Sequence, residues 1–369
     1  MKKFRSLMAF VLCLVCVLSL SVTAFADDSA DMPQLIDPEE LEQITRDFIA
    51  ENNINEKFFS VGYCYTATGD TWYFNEDKWY YSASTYKVPL MMMLAELEAK
   101  GEITRDTPIK NLPLGEAEEL ILTYSNNDYA HLMMSYFGTE PDCRDLYKQY
   151  SDLPDSYYIS DFRDYSYFTA RFLTDVVKVL YYENERFPNI VESLLPATKG
   201  QYFERQITDY EVAQKYGALK EYNHTTGIVY TPNPFILTVM TEYCNAPDPT
   251  IGAYAKLMEQ YTLKLDEKLE EYNKQLEEAE RKAAEEEAKR QEELKKQAEE
   301  QARLEAEEKA KAEVVSTPAA AVQPEEKEEK GGISGPILIA VAAIMVALIV
   351  FVFARAGKKS RRNTYTPRH

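Results

Sequence analysis

Ser84 and Lys87 stand three apart in Ser84-Thr85-Tyr86-Lys87, at the head of an apolar run that begins Val88-Pro89-Leu90. Residues three apart at the start of a helix share a face, which sets an amine beside a hydroxyl. A serine hydroxyl is a weak nucleophile at neutral pH and needs such a neighbour as its base. A helix N-terminus also turns unpaired N–H groups toward any oxyanion formed there. Taken alone, the pattern is equally served by Ser84 as an ordinary N-cap and Lys87 as a surface residue. Two more segments supply groups that the same chemistry needs. Ser125-Asn126-Asn127 follows the apolar run Leu120 to Leu122, and Lys215-Tyr216-Gly217 lies inside the strand-like VAQKYGAL.

These groups act together only if the chain folds them onto one point. Residues 37–52 open with an Asp-Pro helix entry and place Leu41, Ile44, Phe48 and Ile49 on one face, predicting a first helix. Residues 57–66 alternate, Thr68-Gly69-Asp70 supplies a turn, and Thr71 to Asn75 returns as the second strand of a hairpin. From about 87 to 190 the period is mostly helical. Glu211 to Leu219, His224 to Thr231 and Phe235 to Tyr243 then read as an antiparallel meander, and a helix begins near Pro249-Thr250. The fold class is α+β: an antiparallel sheet with outer strands from both ends of the domain, flanked by helices, plus an all-helical subdomain, over about residues 35–264.

The three motifs, in this order and on these elements, form the signature set of penicillin-recognising serine enzymes, with the middle member as S-x-N and the last changed at its centre. Residues 35–264 resemble the class A β-lactamase-like serine hydrolases and their penicillin-binding relatives. The resemblance implies that Ser84 attacks a carbonyl carbon and becomes acylated, with Lys87 as the amine that takes its proton. Partial burial and the nearby cation Lys215 would both lower the pKa of Lys87 toward that task. Ser125 would pass the proton to the leaving nitrogen, and Asn127 would bind the substrate amide and position Lys87. The backbone N–H groups of Ser84 and Ala218 would form the oxyanion hole, with Gly217 leaving room for substrate along the strand edge. The partner implied is a β-lactam, or the D-alanyl-D-alanine end of a peptidoglycan stem peptide. No cofactor and no metal are expected.

Two departures from the family pattern qualify this. Relatives carry Thr or Ser between the lysine and the glycine, to help hold the substrate carboxylate; Tyr216 is far bulkier. The alternative Thr225-Thr226-Gly227 lacks the lysine, and the meander favours Lys215. Efficient β-lactamases of this class also place a glutamate in a loop between the second and third motifs, where it activates the water that frees the acyl-enzyme. The stretch Asp152 to Tyr167 holds no Glu, and Asp161 and Asp164 are the candidate substitutes. Quick acylation with slow hydrolysis is the expectation, closer to a penicillin-binding protein than to a resistance enzyme. The rival reading is a catalytically weak binding or sensing module.

Remaining residues suggest structure more than chemistry. His131 and His224 have no metal-ligand spacing and read as structural histidines. Cys64, Cys143 and Cys244 are too sparse for a disulfide framework and read as small hydrophobes. No phosphate-binding glycine loop is present.

Both termini read as addressing or anchoring segments. Residues 1–26, with Lys2, Lys3 and Arg5, an apolar run and Ala24-Phe25-Ala26, form a secretory signal; Val15 before Cys16 argues against lipidation. Residues 333–354 carry no charge and suffice to cross a hydrocarbon core of roughly 30 Å as a helix. Arg355, Lys358, Lys359, Arg361 and Arg362 follow, so residues 355–369 form a basic cytoplasmic tail and the enzymatic head lies outside a single-pass cell membrane protein. Residues 265–312 are a charged helical spacer, with acid-first pairs such as Glu270 with Lys274 and Glu292 with Lys296, and residues 313–332 are a flexible joint. The break in leucines between Leu276 and Leu294 favours a single helix over a coiled-coil dimer, leaving the oligomeric state open. The chain carries 61 acidic and 41 basic side chains, a net charge of −20. The acid is concentrated in the domain and spacer, which disfavours nucleic acid and other polyanions as partners.

Overall fold

The computed structural model describes residues 34–314, which divide into two compact units, one ending at Glu285 and one beginning at Glu286. In chain order the elements of the first unit begin with α1 (Pro38–Glu51), β1 (Phe59–Tyr65), β2 (Thr71–Phe74), β3 (Tyr80–Tyr81) and α2 (Lys87–Ala99). Then come β4 (Pro108–Ile109), β5 (Leu112–Pro113), α3 (Leu114–Leu122), α4 (Asn127–Met134), α5 (Glu140–Leu146), α6 (Ser160–Tyr165) and β6 (Tyr167–Phe168). The order closes with α7 (Ala170–Tyr182), α8 (Ile190–Leu194), β7 (Val212–Leu219), β8 (Tyr222–Val229), β9 (Phe235–Glu242) and α9 (Pro247–Val314), of which the residues through Glu285 belong to this unit and the rest to the second.

The main sheet is antiparallel throughout, in the order β2-β1-β9-β8-β7. The hairpin and the meander that the alternation predicts meet at β1 and β9, in a register that sets Val61 opposite Val239. The strand edges differ from the sequence reading by a residue or two, because Lys220 at positive φ closes a tight turn and lets β8 begin at Tyr222.

Every residue of β1 is buried, as a central strand covered on both faces must be. On one face α1 and the first turns of α9 close a core. Asp37 caps α1 by accepting from the N–H groups of Glu39 and Glu40, and Leu41, Phe48 and Ile49 face inward. The α9 stripe Ile251, Tyr254, Met258, Tyr261, Leu265 and Leu269, at helical spacing, packs there with Tyr63 and Val239. On the other face lies the helical block. Its centre, α2, is buried from Lys87 to Ala95 and therefore apolar all round rather than amphipathic. Helix α7 comes so close to β1 that a Cβ on Gly62 would stand 2.0 Å from Thr174 Oγ1.

Glu270 with Lys274 forms the acid-first ion pair read from the spacing, in the first unit. In the second unit Glu292 pairs likewise with Lys296, and the helix is solvent-exposed wherever its side chains are described. Among the described residues no helix is long and apolar enough to cross a membrane. The signal (1–26), the apolar segment (333–354), the basic tail (355–369) and all but the first two residues of the joint (313–332) lie outside the described residues.

Candidate active site

Ser84 lies in a single 3-10 turn, Ala83–Tyr86, and α2 starts at Lys87, so hydroxyl and amine face the same way at the head of a buried helix. Lys87 Nζ is 3.2 Å from Ser84 Oγ, 3.2 Å from Ser125 Oγ, 2.7 Å from Ser125 O and 2.6 Å from Asn127 Oδ1. Four acceptors surround an amine that has at most three protons. The amine is thus held in place, and the bond it gives up to receive a proton from Ser84 is already shared. Lys215 Nζ lies 3.0 Å from Ser125 Oγ and 3.1 Å from Tyr216 O. Ser84, Lys87, Ser125 and Lys215 therefore form one continuous hydrogen-bonded chain.

The backbone supports each member. Asn126 caps α4, its side chain accepting from Tyr129 N–H, and the turn before it is closed by Asn126 N–H on Leu120 O. Ser125 takes φ +58°, which lets its carbonyl and hydroxyl oxygens both face Lys87. Ala83, just before Ser84, also sits at positive φ (+47°). Such conformations cost about 1–3 kcal/mol each in non-glycine residues, and here they flank the reacting groups.

Strand β7 lies along the serine turn. A Cβ on Gly217 would stand 2.9 Å from both Ser84 N and Ser82 O, so only glycine lets the strand approach this closely. Ala218 and Ser84, whose N–H groups the sequence reading assigns to an oxyanion hole, line one cleft of about 180 Å³. The ring of Tyr216 stacks on that of Tyr202 at 5.3 Å and 21°, with Lys215 Nζ 4.4 Å from its centroid.

Burial lowers Lys87 to about 8. Burial also pushes Lys215 well below the ordinary lysine range, and the charge of Lys87 adds to that effect. The repulsion expected from sequence at Lys87 thus bears on Lys215, while desolvation alone prepares Lys87.

Asp161 and Asp164 sit on α6 and neither lines the cleft. The carbonyls of Arg163 and Asp164 accept from Arg144 Nη1 at 3.1 and 3.0 Å, which ties the helix end to α5. From this loop Ser166 reaches the cleft, at φ +61°, with its hydroxyl 2.8 Å from Ser82 Oγ and its carbonyl accepting from Ser82 N–H. Sequence reasoning missed Ser166, because a lone loop serine carries no signal. His131, read from the sequence as structural, lines the same cleft together with Glu140 and Arg144, which sequence reasoning missed; the one sequence signal was that His131 lies a turn beyond Asn127 on α4. His224 is structural: Nδ1 accepts from Thr241 N–H, so Nε2 donates to Tyr81 O at 2.9 Å. Among the described residues no group of His, Cys, Asp and Glu could hold a metal ion.

The family model of the beta-lactamase enzyme family matches residues 40–262, and the chain belongs to that family. Solved structures agree in fold. A reconstructed ancestral class A β-lactamase superposes with a TM-score of 0.52 at 17% identity, over 60% of this chain and 98% of that one. A β-lactamase from Xanthomonas campestris gives 0.51 at 14% identity, over 59% and 96%. The protein named PBP-A gives 0.50 at 12% identity, over 60% and 96%. No curated protein matches the sequence.

Proposed function

We propose that this protein is a serine acyl-enzyme hydrolase acting on β-lactams or on D-alanyl-D-alanine ends of peptidoglycan peptides, with slow deacylation. One observation carries the reading: the buried amine of Lys87, lowered to about 8, lies within hydrogen-bond reach of Ser84 Oγ, Ser125 Oγ and Asn127 Oδ1. In this mechanism neutral Lys87 takes the Ser84 proton as Oγ bonds to the carbonyl carbon. The oxyanion rests on the N–H groups of Ser84 and Ala218. The proton then passes through Ser125 to the leaving nitrogen, leaving an ester on Ser84. Asn127 holds both the substrate amide and Lys87. The charged helix sets the domain apart from a membrane anchored through residues 333–354, with the head outside the cell and the basic tail in the cytoplasm.

Slow deacylation is supported by the absence of glutamate from residues 152–167, the stretch where efficient relatives carry it. The same fact, with Tyr216 at the motif centre, favours the second reading, a weak penicillin-binding or sensing module on a stalk. A labelled penicillin followed by intact-mass measurement separates them, with Ser84→Ala as control. A persistent adduct on Ser84 supports slow hydrolysis, a transient adduct with turnover supports a β-lactamase, and no adduct supports the module. Release of D-alanine from a stem peptide tests the second substrate.

A further inference from the structure

We propose that His131, oriented by Glu140, is the general base that activates water for release of the acyl group; this deepens the reading of Ser84 as the acylated nucleophile and rests on it. An ester on Ser84 needs a base aimed at an attacking water, and neither Asp161 nor Asp164 lines the cleft. The cleft itself carries a pair of the required type. His131 Nδ1 is 3.0 Å from Glu140 Oε1, and both residues line the cleft with Ser84 and Asn127. The carboxylate accepts the Nδ1 proton, which leaves Nε2 with a lone pair. His131 stands one helical turn beyond Asn127 on α4, on the same face, and Asn127 Oδ1 is 2.6 Å from the amine that touches Ser84 Oγ. Glu140 is itself held by Arg144, whose other donors fix the carbonyls of Arg163 and Asp164. The pair is therefore anchored at its far end, and its imidazole is open to solvent with 56% of the side chain exposed.

The step balances. Water oxygen bonds to the acyl carbon while its proton goes to Nε2, and the carbonyl electron pair moves to the oxygen held by the N–H groups of Ser84 and Ala218. Collapse of that intermediate breaks the bond between the carbon and Ser84 Oγ. The proton on His131 returns to Oγ, giving a carboxylic acid and free serine.

The test uses the full chain, wild type and His131→Ala, acylated with a penicillin and followed by intact mass over time. Formation of the Ser84 adduct at the wild-type rate, with its loss slowed about 10²-fold or more, is the expected result for removal of a general base. Added imidazole restores adduct loss in His131→Ala, which a structural role for the ring would not allow. Glu140→Gln slows loss less than His131→Ala does, since it removes the orienting group and keeps the base. Adduct loss at the wild-type rate in His131→Ala overturns the proposal, as does an adduct that persists equally in both proteins. Failure of the wild type to form any adduct is a different result: it removes the acyl-enzyme reading and this inference together.

Discussion

Lys87 Nζ donates to Asn127 Oδ1 across 2.6 Å, the shortest of the bonds that hold this amine. The partner is an amide rather than a carboxylate, so the amine is fixed without a negative charge to keep it protonated. With Lys87 at about 8, roughly a tenth is neutral at pH 7. The rate of acylation by a β-lactam is expected to rise about tenfold per pH unit below 8 and to level above it, because raising the pH creates the base. Asn127→Asp places an opposite charge beside the amine and moves that midpoint up by about 1–3 pH units. Stopped-flow acylation rates between pH 6 and 10 check both outcomes.

Gly217→Ala pushes a methyl group into Ser84 N and Ser82 O, each 2.9 Å from where it would stand. Backbone cannot swing aside as a long side chain does. Strand β7 must shift from the serine turn, separating the two N–H groups at which an oxyanion would lie. A loss of about 10²-fold or more in acylation is expected, the scale of removing one oxyanion donor, with about 1–3 kcal/mol of lost stability from overpacking. Acylation kinetics and thermal unfolding measure the two effects separately.

Lys87→Met is expected to abolish acylation and raise the melting temperature. Burial makes the folded protein bind this proton less tightly than the unfolded chain, whose lysine titrates near 10.5. Between pH 8 and that value the unfolded state holds more protons, so the contribution of this group to stability rises with pH. Below pH 8 the buried charge is a standing cost, and its removal is expected to stabilise by on the order of 1–3 kcal/mol. Denaturant titrations at pH 7 and pH 10 check the sign, the gain being smaller at the higher pH.

His224 gives an acid-dependent loss of the same origin. Burial lowers it to about 4 from an ordinary 6.5, and it stays neutral between Thr241 N–H and Tyr81 O. As the pH falls from 6.5 toward 4 the unfolded chain takes up a proton that the folded one refuses, so stability declines across that window. His224→Asn is expected to flatten this part of the stability profile. Urea midpoints at pH 4, 5 and 7 in both proteins decide it.

The sequence by itself determined much of the frame. Short β-rich runs divided by turns specify the hairpin and the meander, and the 3.6 period of a half-covered helix specifies the first helix. The three motifs mark which side chains could react, because together they carry the resemblance to the penicillin-recognising serine enzymes. The short pair β3 and β6 was not legible, being two residues per strand brought together from distant parts of the chain, with no local turn to announce it. Tertiary structure alone decided that Ser166 enters the cleft while Asp161 and Asp164 stay outside, and that Tyr216 turns to Tyr202. It also decided that His131, read from the sequence as structural, lines one cleft with Glu140 and Ser84. Local pattern fixes which face of an element is buried, whereas the facing of one loop or helix against another depends on contacts between segments far apart in sequence.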